Sequence, residues 1–254
     1  MSQIGFFDGG KRFKIDKPVR LIELFAGIGS QAKALERLNE KGLLPYGFEH
    51  YRICEFDKYA VKSYNAIHGT DFETTDITKI TAADLGITDI DKYCYILTYS
   101  FPCTDLSVAG LQKGMSKGSN TRSGLLWEVE RLLNECKELP QILLMENVTQ
   151  VHSEANKKDF FEWMRFLESK GYKNYYKDLN AKNYGIPQNR DRCFMISLLG
   201  DYYYVFPEKI PLELKLKDML DKDVDEKYYI QLSEKIECSQ FINVERERAG
   251  RQNS

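Results

Sequence analysis

Short apolar runs alternate with amphipathic stretches through most of this chain, a pattern that predicts an α/β fold with a mostly parallel sheet and helices on both faces. Val19 to Leu24 reads as a buried strand, followed by a tight glycine-containing turn over Phe25 to Gly29 and a helix from Gln31 to Asn39. Ile53 to Phe56 reads as a second short strand leading into a helix from about Asp57 to Ile67, and Tyr93 to Tyr99 as a third strand running into Ser-Phe-Pro-Cys. Lys113 to Gly124 holds three glycines and three serines without periodicity and reads as a mobile loop. A helix resumes over Leu125 to Cys136, and Gln141 to Met145 is an apolar strand ending in Glu-Asn-Val. Lys158 to Ser169 is helical, with Phe160, Phe161, Met164 and Leu167 at core spacing. Asn174 to Leu179 and Cys193 to Leu198 read as closing strands around a loop from Asn183 to Arg192. Beyond Phe206 the chain turns charged and irregular. The expected division is therefore an extension over 1–18, one large domain over 19–206, and an incomplete further region over 207–254.

Composition refines this only slightly. The 254 residues are 43% hydrophobic and 29% charged, enough for a full core in an ordinary globular protein. No apolar run is long enough to span a bilayer, and the first residues lack a basic-then-apolar leader, so a reducing cytoplasmic setting is expected. The six cysteines are scattered, with no Cys-x-x-Cys pair and no nearby histidine cluster, so no zinc site, other metal site or disulfide framework is expected. The net charge of −2 argues against a stand-alone nucleic-acid binder, whose affinity comes largely from phosphate neutralisation.

Chemistry concentrates at the strand ends. Phe25, Ala26, Gly27 and Gly29 form a glycine turn opening a helix, where the backbone approaches a ligand closely and free N–H groups point outward. The three-glycine dinucleotide fingerprint is missing, which argues against NAD. Glu55 ends the second strand, where an acid takes the two hydroxyls of a ribose; Phe56 is placed against an adenine, and Asp76 to accept from its amino group. Read singly, each is equally an ordinary strand terminus. Cys103 follows Pro102 at the end of the third strand, a nucleophile candidate that on its own surroundings is as well explained as a structural thiol. Glu146 closes the next strand on the same edge, and Arg190 and Arg192, two apart, share one face if extended.

Together, Glu-Leu-Phe-Ala-Gly-Ile-Gly-Ser, Ser-Phe-Pro-Cys-Thr-Asp-Leu-Ser, Leu-Met-Glu-Asn-Val and Tyr-Gly-Ile-Pro-Gln-Asn-Arg-Asp-Arg resemble, in order and spacing, the motifs of cytosine-C5 DNA methyltransferases from Val19 to Leu198. The resemblance implies a Rossmann-like S-adenosylmethionine-dependent methyltransferase fold acting on double-stranded DNA. It implies that Phe25, Ala26, Gly27, Gly29, Glu55, Phe56, Asp76, Ile77, Pro102 and Leu125 hold S-adenosylmethionine. Cys103 would attack C6 of cytosine, Glu146 would bind N3 and the exocyclic amine, Arg192 the C2 oxygen, and Arg190 would orient the site. The loop after Cys103 would close as a lid, with Lys113, Lys117 and Arg122 meeting phosphates.

The sequence also departs from the family pattern. It contains no Gln-Gly-Phe-Pro-like and no Gly-Asn-Ser-Val-like segment after the Gln-x-Arg-x-Arg motif, so a target-recognition region and two closing motifs are missing. Three readings stay open: a catalytic chain completed by a second polypeptide, a truncated product, and a non-catalytic cofactor-binding homologue on the same fold. A tRNA cytosine-C5 methyltransferase is a further enzymatic variant. The acidic balance favours the first two, since phosphate and base contacts would lie largely on the missing part.

Overall fold

A computed structural model describes residues 10–106, 114–119 and 121–229. The strands are β1 (Lys11–Arg12), β2 (Val19–Leu24), β3 (Phe48–Cys54), β4 (Cys94–Tyr99), β5 (Ile142–Asn147), β6 (Tyr172–Asn180), β7 (Asp191–Leu199) and β8 (Tyr202–Tyr203). The helices are α1 (Ser30–Glu40), α2 (Lys58–His68), the single turn α3 (Ala82–Leu85), α4 (Leu126–Glu135) and α5 (Lys157–Ser169). Six strands form one sheet in the order β3-β2-β4-β5-β7-β6. β3, β2, β4 and β5 run parallel, and β7 lies antiparallel between β5 and β6. A mostly parallel sheet must be covered on both sides because its strands are apolar on both faces. Here α1 and α2 contribute Ala32, Val61 and Tyr64 to one buried cluster, while α3, α4 and α5 contribute Leu85, Val129, Leu132, Phe160, Trp163 and Leu167 to the other. This is the Rossmann-like arrangement expected from the sequence.

The chain separates into a unit ending at Leu212 and a second beginning at Glu213. The described part of the second holds two short 3₁₀ turns, Leu216–Met219 and Glu226–Tyr228, and no buried side chain.

Two expectations are corrected. The second strand begins at Phe48 and ends at Cys54, so Glu55 and Phe56 lie beyond it rather than within it. β3 is an edge strand bonded only to β2, and its half-exposed polar positions conceal it from an apolar-run reading. In α5 the buried set is Phe160, Trp163 and Leu167, whereas Phe161 is 44% exposed. One residue of helical rotation carries position 161 off the stripe at 160, 163 and 167. Of the cysteines, 54, 94 and 193 are buried and 103 and 136 half-buried, all as free thiols; Cys238 lies outside the described residues. Among the described residues, no helix is long and apolar enough to cross a membrane.

Trp163 anchors α5 to the sheet. Its Nε1–H donates to the Tyr99 hydroxyl at 3.0 Å, and both residues are fully buried. Trp163→Phe keeps an aromatic ring but leaves Tyr99 without that donor and opens a small void. A loss of about 1–3 kcal/mol is expected in urea unfolding. A midpoint unchanged from that of the parent chain would show that the bond contributes nothing net.

Candidate functional site

The turn after β2 is built on left-handed backbone. Phe25, Gly27 and Gly29 have φ of 58°, 56° and 81°. Phe25 and Ala26 donate their N–H groups to the Cys54 carbonyl at 2.7 and 3.3 Å, which ties the turn to the end of β3. Glu55 clasps both sides of the cleft edge, accepting from Gly27 N–H on Oε2 and from Asp57 N–H on Oε1, each at 2.9 Å. Asp57 in turn caps α2 by accepting from Tyr59 N–H at 2.7 Å. One expected donor is already engaged. Glu23, fully buried in β2, accepts from Ala32 N–H at 3.2 Å and from the Tyr64 hydroxyl at 2.6 Å. Burial raises the pKa of Glu23, and the Tyr64 and Ala32 bonds oppose that rise. The anion-favouring start of α1 is thus partly filled by the protein's own carboxyl.

Beside the turn, Phe56 is 79% exposed, an unusual setting for a phenyl ring. Thr75 N–H donates to the Glu55 carbonyl at 2.7 Å, which sets the segment carrying Asp76 alongside Glu55 and Phe56. Asp76 accepts through Oδ1 from Thr78 N–H and hydroxyl at 3.0 and 2.8 Å, and these bonds hold its carboxyl below the usual range. Ile77 is buried, and its carbonyl accepts from Arg131 at 3.0 Å. Phe25, Cys103 and Leu125 are half-buried and pack on the cluster that contains Ile77 and Phe101. A Cβ added at Gly27 would meet nothing within 4 Å, so that side of the turn is open to a ligand. Open backbone, an exposed ring and a carboxylate at the same edge fit an adenosine-type cofactor.

On the other half of the edge, β4 and β5 run side by side with Tyr99 opposite Met145, so the segments leaving them emerge together. Asn147 Nδ2 donates to the Phe101 carbonyl at 3.0 Å, fastening the Pro102–Cys103 segment to β5. Glu146 lies within β5, opposite Phe194 of β7, with its side chain 19% exposed. Arg192 Nε approaches Glu146 Oε1 at 3.1 Å, and Arg190 Nη2 approaches the same oxygen at 3.9 Å. The pair expected on one face therefore converges on one carboxylate and orients it. The Cys103 segment is also held from below. Asp105 accepts from Arg122 N–H and Ser123 N–H at 2.8 and 3.3 Å, and the Ser123 hydroxyl donates to the Pro102 carbonyl at 2.7 Å.

The sequence gives no role to Glu23, Tyr64, Asp105, Ser123 or Asn147, because each acts through a partner distant along the chain. An acid two residues after Cys103 was the only local signal for Asp105. Of the loop cations, Lys117 pairs with Glu130 and lies 5.1 Å from the Trp127 ring centroid, so it is engaged within the fold. Arg122 supplies its backbone to Asp105, and Lys113 lies outside the described residues.

Residues 19–252 match the family model of the C-5 cytosine-specific DNA methylases. The chain is 35% identical to the Type II methyltransferase M2.ScrFI of Lactococcus lactis subsp. cremoris, over 84% of this chain and 70% of that protein. It is 34% identical to the orphan methyltransferase M.SssI of Spiroplasma monobiae, over 83% and 67%. Among solved structures, the S. pombe Dnmt2 methyltransferase superposes with a TM-score of 0.63 at 22% identity, covering 85% of this chain and 64% of that one. The chain thus spans about two thirds of the length of the proteins it resembles.

Proposed function

The chain belongs to the C-5 cytosine-specific DNA methylase family, the S-adenosylmethionine-dependent DNA cytosine-5 methyltransferases, and from that membership we propose that it methylates C5 of cytosine in double-stranded DNA through a covalent bond from Cys103 to C6. The observation that carries this reading is the meeting, at one sheet edge, of the Cys103 segment with Glu146 fixed by Arg192 and Arg190.

The target atom lies inside the duplex, so the base is extruded into this edge at a cost of a few kcal/mol. The Cys103 thiolate adds to C6, and the electron pair of the C5–C6 bond becomes available at C5. Glu146 binds N3 and the exocyclic amine and stabilises the ring as charge builds on it, while Arg192 holds the C2 oxygen and Arg190 fixes Glu146. S-adenosylmethionine, when bound, supplies an electrophilic sulfonium methyl. Phe25, Ala26, Gly27 and Gly29 line its seat, Glu55 takes the ribose hydroxyls, Phe56, Asp76 and Ile77 hold the adenine, and Pro102 and Leu125 close the wall. Loss of the C5 proton to a base then restores the double bond and expels the thiolate. Asp105, Ser123 and Asn147 do not touch the base; they fix where Sγ stands, a proximity contribution.

The recognition region and closing motifs not found in this sequence come, in this reading, from a second polypeptide, and the assembly works in the cytoplasm. Methyl transfer from labelled S-adenosylmethionine is the direct test. With the second polypeptide present, label is expected as 5-methyldeoxycytidine in DNA digests. Label recovered only from tRNA, or activity of the chain unaided, would overturn the substrate or the two-chain assignment respectively.

A further inference from the structure

The three histidines are far apart in the sequence, yet the fold brings two of them onto a single carboxylate beneath the glycine turn. Glu36 of α1 places Oε1 2.6 Å from His68 Nδ1 of α2 and 3.3 Å from His50 Nε2 of β3. Glu36 and His50 have side chains 17% and 16% exposed, and that of His68 is fully enclosed. The three ligand atoms lie within 4.8 Å of one another.

The outward nitrogens are already committed. His68 Nε2 lies 3.1 Å from the Ile28 carbonyl, which can only accept, so Nε2 carries the hydrogen. His50 Nδ1 lies 3.1 Å from the Tyr64 hydroxyl, whose own hydrogen goes to Glu23, so Nδ1 donates there. In the neutral rings, both remaining lone pairs then point at the same anionic oxygen. A proton on His68 alone would satisfy the 2.6 Å contact but leave His50 Nε2 facing Glu36 lone pair to lone pair. Protons on both rings would put two cations in a half-buried space with ring centroids 5.2 Å apart. A divalent cation satisfies all three atoms at once.

We propose that Glu36, His50 and His68 form a binding site for a divalent transition metal, of which zinc best matches a two-histidine, one-carboxylate set. Both histidines donate their second N–H to an oxygen, the arrangement that fixes ring orientation around metals. Lys33 occupies Glu36 Oε2 at 2.6 Å, which leaves Oε1 as a single-atom ligand. Metal–nitrogen bonds of about 2.0–2.1 Å need only small side-chain adjustments from the distances observed. The metal would act structurally. Through His68 it would stiffen the Ile28 carbonyl and hence the Phe25–Gly29 turn.

The test uses the full chain, stripped with a chelator and titrated with Co²⁺ as a spectroscopic probe. One ion per chain is expected, with visible d–d bands, no thiolate charge-transfer band, and displacement by Zn²⁺, which binds such sites more tightly. His50→Gln and Glu36→Gln, both at partly exposed side chains, are each expected to weaken binding at least about tenfold, with circular dichroism verifying that the variants fold. His152→Gln serves as the control for a second grouping of His152, Asp178 and Cys193, and Cys103→Ser for the candidate nucleophile. Absence of saturable binding, binding intact in both the His50 and Glu36 variants, or a thiolate band removed by either control pathway would overturn the proposal.

Discussion

Cys103→Ser is expected to abolish the denaturant-stable adduct that the proposed mechanism requires on DNA containing 5-fluorocytosine, in the presence of the proposed second polypeptide and S-adenosylmethionine. Fluorine at C5 cannot leave as a proton does, so the proposed pathway stalls with the Cys103–C6 bond intact. A serine hydroxyl is not measurably ionised near neutral pH, and methyl transfer to ordinary cytosine should fall by at least about a thousandfold. The other described thiols do not offer a substitute. Burial pushes Cys54 up to about 12 and Cys94 and Cys136 up to about 11, and it raises Cys193 as well. A thiol with such a pKa is almost wholly protonated at neutral pH, and three of the four are also enclosed in the core. Cys103 is half-buried at an open sheet edge. An adduct that survives the substitution, seen as a shifted band on a denaturing gel, would assign the nucleophile elsewhere.

Legibility from sequence followed the physics of burial. β2, β4 and β5 are parallel interior strands, so their apolar runs announced them almost to the residue, as did the amphipathic α1, α2, α4 and α5. Only the buried end of β3 is legible, because Ile53 and Cys54 alone of its seven positions are buried. The proposed site is legible as far as its residues fall in short local motifs: the glycine turn, Pro102–Cys103, Glu146, Arg190 and Arg192. What escaped was the tertiary polar framework. Glu23 sits in an apolar strand and is answered by Tyr64, some forty residues on; Asp105 is answered by the backbone of 122 and 123. The grouping of Glu36 with His50 and His68 was also invisible, because α1, β3 and α2 each contribute one residue and no spacing rule links them. His50 and His68, apart along the chain, meet in space.

Gly29→Ala is expected to cost about 2–4 kcal/mol of stability, far more than the same change at Gly27. Both glycines have positive φ, so either substitution carries the left-handed penalty of roughly 1–2 kcal/mol. They differ in what a methyl group would strike. At Gly29 the new Cβ would fall against His68 Nε2 and 2.6 Å from Tyr64 Cε2. Neither neighbour is free to retreat. Tyr64 is fully buried with its hydroxyl on Glu23, and His68 is tied to Ile28 and Glu36. The clash therefore passes into α2 and the start of α1 rather than into solvent, and overpacking adds to the backbone strain. At Gly27 the Cβ meets nothing within 4 Å. Gly27→Ala should unfold only about 1–2 kcal/mol earlier, yet it places a methyl group on the open side of the turn assigned to S-adenosylmethionine. The two variants thus separate the roles of two glycines of one turn. Urea unfolding should rank Gly29→Ala well below Gly27→Ala, while calorimetric titration with S-adenosylmethionine should show the larger loss of affinity per unit of lost stability at Gly27. Equal unfolding midpoints would contradict the packing beneath Gly29. Undiminished cofactor affinity in Gly27→Ala would place the cofactor away from this turn.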